Sequence, residues 1–214
     1  MYKSLILGAA LSFALAPAVL AQQGEQNFDH ANFDAVDISG SFQARIEVGH
    51  EFQVRLVGAE SDFDQVEIEM DRGELDVRQQ RGLFGRQRDL DVTLIVTMPS
   101  ISEAEFSRGV SAVLTGVDAD RFDVEVSTGA YAELSGQCSR MDAEVSTGGS
   151  LRARSLECES VTAEASTGGE GDVFASQRIN AEASTGGGLD IFGSPGARSS
   201  ETVFGGSIRF VPES

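Results

Sequence analysis

The sequence predicts an all-β protein built as a parallel β-solenoid, or β-helix, with rungs of about 19 residues and N-terminal strands that are partly antiparallel. Three observations predict this fold. A Ser-Thr-Gly motif returns at a nearly constant period, apolar residues recur at fixed offsets from it, and no helical pattern follows residue 21. A period of this size indicates stacked supersecondary units that share one core.

The first 21 residues have the three parts of a secretory signal peptide. Lys3 supplies a positive start, Leu5 to Leu15 an apolar stretch, and Val19-Leu20-Ala21 a small-residue site with cleavage expected after Ala21. The apolar stretch is too short to span a membrane, and no later stretch is apolar enough to do so. The mature protein is therefore expected in the periplasm or outside the cell.

The remaining chain predicts one domain after a short linker. Residues 22–32 are polar and predict a disordered linker, and residues 33–211 predict a single solenoid domain. Within this domain, residues 33–99 form an N-terminal strand region in which polar and apolar residues alternate with a period of two. Residues 66–78 predict a hairpin around a glycine, and residues 100–211 predict the repeat rungs.

A basic, glycine-containing loop interrupts the strand region at residues 79–89. Its positive cluster consists of Arg81, Arg86 and Arg88. A solvated loop is the simpler interpretation, and an anion-binding site is the alternative.

The repeated motif sets the rungs. Its serines are Ser127, Ser146, Ser166 and Ser184, so the steps are 19, 20 and 18 residues. Three apolar rows accompany each serine, and they predict three short strands per turn with glycine at the corners. The first row is Val124, Val126, Ala143, Val145, Ala163, Ala165, Ala181 and Ala183; the second is Ala112, Leu114, Ala132, Leu134, Leu151, Ala153, Leu189, Ile191, Ile208 and Phe210; the third is Phe122, Met141, Val161 and Ile179.

The two cysteines occupy equivalent positions on successive rungs. Cys138 and Cys158 each lie eight residues before their motif serine, Ser146 and Ser166. Stacked strands are about 4.8 Å apart, which is within the Cα separation that a disulfide tolerates. In an oxidising compartment we expect the two cysteines to pair, with two reduced thiols as the alternative.

A column of glutamates is the most unusual feature of the repeats. Glutamate stands two residues before the motif serine in every rung, and the degenerate flanking copies continue the column: Glu105, Glu125, Glu144, Glu164, Glu182 and Glu201. Like charges one rung apart repel by roughly 1 kcal/mol in water. The column is either a solvated outer face or a stripe that binds a basic ligand or cations, of which Ca²⁺ suits carboxylate oxygens. No other cofactor is indicated.

Composition and side-chain inventory exclude several functions. The formal charge of −18 disfavours nucleic acid as a partner. The serine column lacks a base, because the only histidines, His30 and His50, lie outside the repeats. No catalytic residues are therefore assigned, although paired carboxylates for glycoside cleavage are abundant enough to keep that chemistry open.

The order of motifs resembles the head-GIN-domain family of auto-transporter adhesins, a domain of unknown function. The opening segment 33–42, the segment 91–99 leading into residues 104–111, the Ser-Thr-Gly-Gly series and the closing segment 203–208 carry the resemblance. It covers about residues 33–211. The resemblance implies a β-helical repeat domain at the cell envelope and supplies no catalytic residues.

These observations favour a non-catalytic envelope or secreted module with a binding or structural role of the kind that adhesins have. Its expected partner is a protein or a glycan at the cell envelope. A polysaccharide-active enzyme on a β-helix scaffold is the alternative, and it requires a cleft in which unlike acidic side chains converge with a basic residue. A strand edge at residues 204–211 makes a homo-oligomer conceivable unless the C-terminal residues cap it.

Overall fold

The computed structural model describes residues 23–80 and 88–212, which contain fifteen strands and one helix. The N-terminal elements are β1 (Gln23–Phe28), β2 (Ala35–Ser39), β3 (Gln43–Val48), β4 (Gln53–Ala59), α1 (Glu60–Phe63), β5 (Val66–Asp71), β6 (Glu74–Gln79), β7 (Val92–Met98) and β8 (Glu103–Ser107). The repeat elements are β9 (Ser111–Val126), β10 (Tyr131–Val145), β11 (Ser150–Ala165), β12 (Glu170–Ser184), β13 (Gly188–Phe192), β14 (Ala197–Val203) and β15 (Ser207–Phe210). The predicted signal peptide lies outside the described residues, as do Arg81 and Arg86.

The repeats form the predicted parallel β-solenoid, with about five turns of about 20 residues each. Strands β9, β10, β11 and β12 pair in parallel, and motif positions face their equivalents on the neighbouring rung. The three apolar rows point inward and are buried through most of the coil, so the predicted core is confirmed. Only the last members of the second row, Ile208 and Phe210, are partly exposed because no rung covers them.

The rungs differ from the prediction in one respect, since each full rung is one long bent strand rather than three short ones. Strands β9 to β12 have 15 or 16 residues. The register between β9 and β10 shifts at Leu134 and Gly136, and the register between β10 and β11 shifts at Glu133 and Ser135. A bulge bends a strand while the ladder continues on both sides of it. Bulges therefore replace expected corners, one in each of these two pairs of rungs and two between β11 and β12, where the register shifts between Ala153 and Glu157 and again between Cys158 and Ser160.

The third corner is the Ser-Thr-Gly motif, which forms a tight turn. In the first full rung Thr128 has φ 51° and Gly129 has φ 73°, and the amide of Ala130 donates to the carbonyl of Ser127 at 3.0 Å. Two positive φ values with this hydrogen bond are typical of a type I′ turn. A β-branched residue rarely adopts a positive φ. The turn is held here because the Gly129 amide donates to the Thr147 carbonyl of the next rung at 3.2 Å.

The second glycine of the motif has a different role. It lies where the corner backbone approaches the preceding rung, and a Cβ built on Gly149, Gly169 or Gly187 would overlap a carbonyl oxygen of that rung. Ala130 holds the equivalent position in the first full rung. The close approach thus belongs to the rungs from Gly149 onward.

The N-terminal region is partly antiparallel, as predicted. Strand β4 pairs antiparallel with β1 and β7, and β5 pairs antiparallel with β6 in the predicted hairpin. Strands β2 and β3 pair in parallel with β8 and β9, and this joins the region to the repeats. The whole described chain shares one hydrophobic core.

Two expectations for this region are wrong. The linker predicted over 22–32 is ordered at residues 23–28, which form β1 opposite β4, with Gln23 facing Ala59 and Phe28 facing Val54. Polar side chains do not prevent this pairing, because an edge strand adds backbone hydrogen bonds and only Phe28 packs against the core. The absence of helix after the signal is also incorrect, since α1 forms one turn between β4 and β5.

Arg88, at the C-terminal end of the basic loop, forms an ion pair with Asp62. Arg88 donates from Nη2 to Oδ1 of Asp62 at 2.6 Å, and the amide of Asp91 donates to the same carboxylate at 3.0 Å. Asp62 is buried, and its hydrogen bonds from Arg88 lower its pKa below the ordinary value. Arg88 therefore anchors the loop to α1 and is engaged within the protein.

The last rung carries polar, exposed residues at the positions that are buried and apolar in the rung before it. Arg198, Ser200 and Thr202 stand opposite Ile179, Ala181 and Ala183 of the rung before. Arg198 lies over the ring of Phe210, with 4.9 Å between Cζ and the ring centroid. Polar terminal repeats are typical caps of solenoids, and this rung covers the end of the core in that way.

Cys138 and Cys158 face each other in register on β10 and β11, with Cα atoms 4.5 Å apart, and their sulfur atoms are bonded. Replacing both with alanine is expected to lower the free energy of unfolding by about 3 kcal/mol, because the loop of unfolded chain is no longer closed. Alanine is a matched choice, since Ala119 and Ala175 occupy the same column on the neighbouring rungs.

Urea unfolding with and without reductant checks this prediction. Reductant should weaken the wild-type protein and leave the double variant unchanged. Two reactive thiols in unreduced wild-type protein would contradict the pairing.

Candidate functional site

The predicted glutamate column exists and is longer than the repeats. Glu105, Glu125, Glu144, Glu164, Glu182 and Glu201 face one another in register from β8 to β14. Three N-terminal residues extend it, because Asp37 faces Glu105, Asp76 faces Asp37, and Glu69 faces Asp76. Nine successive strands of the sheet therefore present a carboxylate at the same position.

A second acidic column runs beside the first, two residues earlier on each strand except the antiparallel β5, where it lies two residues later. Its carboxylates are Asp71, Glu74, Glu103, Asp123 and Asp142, with Ala35 between Glu74 and Glu103. The column then turns neutral at Thr162, Asn180 and Ser199. We call the two columns together the acidic face; its N-terminal two thirds carry most of the charge.

Few cations neutralise the acidic face. Arg78 contacts Asp76 and lies 3.8 Å from Asp37, and Arg121 bridges Asp123 at 3.1 Å and Asp142 at 2.7 Å. Within residues 23–80 and 88–212, no arginine or lysine forms an ion pair with any of the six column glutamates. The glutamate column is thus a row of like charges without internal partners.

Burial perturbs the N-terminal end of this face. Burial raises the pKa of Glu105 to about 7, and the charges of Asp37, Glu125, Glu103 and Glu74 add to the effect. Burial likewise raises the pKa values of Asp37, Glu74 and Asp76 above the ordinary range. Glu105 was predicted as a member of the column, whereas Asp37, Asp76 and Glu69 were missed, because strands β2, β5 and β6 do not follow the repeat period.

The carboxylates are arranged in rows and do not form a cage. Among the residues that the structure describes, no group of three or more His, Cys, Asp or Glu side chains is placed to hold one metal ion. Stacked side chains on a flat sheet lie side by side, whereas Ca²⁺ takes six to eight oxygens around one point. The predicted calcium stripe remains untested by this geometry.

A second surface, on the outer side of strands β3, β9 to β13 and β15, balances its charges. We call it the mixed face. Its central column runs through Arg45, Val113, Glu133, Arg152, Asp172, Asp190 and Arg209. Arg152 pairs with Asp172 at 3.2 Å, and Arg209 pairs with Asp190. The scaffold therefore pairs Asp172 and Asp190 with arginines on the mixed face, whereas the six column glutamates of the acidic face form no ion pair with a described residue.

The motif serines act in the corner turns. Ser127, Ser146, Ser166 and Ser184 each accept a turn hydrogen bond at the backbone carbonyl. His30 stacks beside Phe28 after β1, with ring centroids 6.4 Å apart, and His50 lies between β3 and β4. Neither histidine lies on a strand of the serine rungs, which leaves these serines without a base.

A known protein family matches most of the sequence of this chain. A family described as "Putative auto-transporter adhesin, head GIN domain" matches residues 32–195. No curated protein matches the chain. No helix in the described part of the chain is long and apolar enough to cross a membrane.

Two solved structures have a similar fold at low identity. A "putative adhesin" from Bacteroides fragilis NCTC 9343 has a TM-score of 0.70 and 15% identity, over 89% of this chain and 97% of that one. A "putative lipid binding protein" from Parabacteroides distasonis ATCC 8503 has a TM-score of 0.53 and 16% identity, over the same shares of 89% and 97%. The family match spans well over half of the chain, so the chain belongs to this head GIN domain family.

Proposed function

We propose that this chain is a non-catalytic, adhesin-like module of the cell envelope whose acidic face binds a basic segment of a protein partner. The observation that carries the proposal is the register of nine carboxylates on nine successive strands, almost without counter-charges. The signal peptide predicted over residues 1–21 and the adhesin family support a location in the periplasm or outside the cell.

Electrostatics favours such a partner. Carboxylates about 4.8 Å apart repel one another, so a cationic partner relieves repulsion at several positions together. A row of one sign also steers an oppositely charged partner from a distance, and salt screens this attraction. An extended segment rich in lysine or arginine matches the length of the row. Uniform columns present no single centre for catalysis, which supports a binding role.

The test measures binding of an immobilised Lys/Arg-rich peptide to the full mature chain at low and at high salt. The triple variant Glu125→Gln/Glu144→Gln/Glu164→Gln should bind at least tenfold more weakly, because it removes adjacent charges from the column. The matched variant Glu133→Gln/Glu157→Gln/Glu159→Gln changes the net charge equally on other surfaces and should change binding by less than twofold.

Equal losses in both triple variants would show that only net charge matters, which contradicts the acidic face as the docking surface. Failure of the wild-type protein to bind the peptide at low salt would also contradict it. Adding Ca²⁺ during the same titration checks the cation alternative: competition at submillimolar Ca²⁺ would mean that ions occupy the column.

A further inference from the structure

The mixed face contains a hollow that the fold does not require. In the run of glycines at 186–188, Gly186 needs its positive φ of 77° in the turn, and a Cβ on Gly187 would overlap the carbonyl of Ala165. Neither reason for a glycine applies to Gly188. It lies in β13 without a positive φ, and a Cβ built there would contact only Ser207 Oγ, at 3.4 Å. The other rungs carry side chains at this position: Ser111, Tyr131, Ser150, Glu170 and Ser207.

Gly188 lines a hollow of about 600 Å³, and its missing side chain leaves the backbone exposed on the floor of that hollow. Glu170 and Ser207 are the neighbours of Gly188 on the adjacent strands, and they form two edges of the hollow. The next column of residues forms its side wall. That wall consists of Arg152, Asp172, Asp190 and Arg209. A volume of this size is within the range of small-molecule sites.

The wall is held in place by its own ion pairs. Arg152 donates from Nη1 to Oδ1 of Asp172 at 3.2 Å, and Arg209 donates to Asp190. The Asp172 and Asp190 side chains are 23% and 27% exposed, so part of each carboxylate still faces the hollow. Guanidinium donors and carboxylate acceptors thus stand next to each other along the wall.

The charge of the hollow selects the ligand class. The positive charges of the two arginines balance the negative charges of the two aspartates, so Glu170 supplies the only unbalanced charge among the residues that line the hollow. The whole chain has a net charge of −18. An anion is repelled by the whole protein, and a cation is drawn more strongly to the acidic face. A neutral ligand with many hydroxyl groups suits adjacent donors and acceptors, because each hydroxyl donates one hydrogen bond and accepts others.

We propose that the hollow over Gly188 binds a neutral saccharide, with Asp172 and Asp190 accepting from its hydroxyls and Arg152 and Arg209 donating to them. The site lies on a different face from the acidic columns and does not rest on the proposed function.

The experiment probes the full mature chain against a printed panel of neutral and of acidic oligosaccharides. Neutral members should be retained, and the affinity of the strongest is then measured by titration calorimetry. Gly188→Thr places a β-branched side chain on the floor of the hollow, where it would clash with a bound saccharide, and should weaken binding at least tenfold while the melting temperature stays equal or rises. Ser111→Thr places the same side chain in the same column outside the hollow and should bind like the wild type.

Asp190→Asn provides a second variant that leaves the hollow open and should weaken binding several-fold. Retention of no neutral oligosaccharide by the wild type, or wild-type affinity in Gly188→Thr, would overturn the proposal. Release of shortened products from the retained oligosaccharide would overturn it in favour of an enzyme. The triple variant Glu125→Gln/Glu144→Gln/Glu164→Gln should still bind the saccharide. That result would support the proposal and show that saccharide binding does not depend on the glutamates tested for peptide binding.

Discussion

Replacing Gly169 with alanine is expected to lower the free energy of unfolding by about 3 kcal/mol or more. The new Cβ would overlap the carbonyl oxygen of Val145 and stand 2.9 Å from the amide nitrogen of Ser146, both on the preceding rung. These are backbone atoms inside a hydrogen-bonded ladder, so relief requires two rungs to move apart. A flexible side chain would have yielded at much lower cost.

The adjacent glycine provides the control. Gly168 has φ +74° and nothing within 4 Å of a built Cβ, so Gly168→Ala carries only the cost of a positive φ, about 1 to 2 kcal/mol. Chemical unfolding of both variants, followed by circular dichroism, separates the two effects. If Gly168→Ala proves as destabilising as Gly169→Ala, close approach is not what the second glycine provides.

Lowering the pH from 8 to 5 is expected to stabilise this protein, against the usual trend. The folded pKa of Glu105 is about 7, above the ordinary 4.5, so the folded state binds more protons than the unfolded state between these values. Stability from this group is therefore fully present below pH 4.5 and falls as the pH rises through 7. Because Glu105 is only half-buried, the effect amounts to about 1 to 2 kcal/mol after a discount for solvent screening.

Glu105→Gln tests the assignment through thermal unfolding at several pH values. The variant should melt at a higher temperature than the wild type at pH 8, and the two curves should converge near pH 5. Asp37, Glu74 and Asp76, whose pKa values burial also raises, should leave a smaller slope of the same sign in the variant. Glu201→Gln, at the exposed end of the column, serves as the control, and an equal effect there would refute the role of burial.

The parts of this protein that follow the repeat period could be predicted from the sequence. Residues at equal offsets from the motif serine stack, so the core rows, the facing positions of Cys138 and Cys158, and the glutamate column all follow from counting. Asp37 and Asp76 escaped this counting because their strands join the column out of chain order. Only coordinates show which non-consecutive strands pair.

The roles of individual glycines were also beyond sequence reasoning. Gly186, Gly187 and Gly188 are identical letters, yet one turns the chain, one permits close approach and one leaves a hollow. The difference depends on which backbone lies opposite each residue. The strand at residues 23–28 was missed for a related reason, since its partner β4, and not its own polar composition, determines its structure.

The uniform corner turn has a consequence for the history of the gene. The Ser-Thr-Gly corners from Ser146 to Gly187 repeat one conformation and the same close approach to the preceding rung, so any of these three corners can follow another. Recombination between repeated segments of coding DNA therefore yields chains longer or shorter by whole rungs, with the cross-section and both ends intact. Each added rung extends the protein by about 4.8 Å. We expect homologues to differ in reach by multiples of that step.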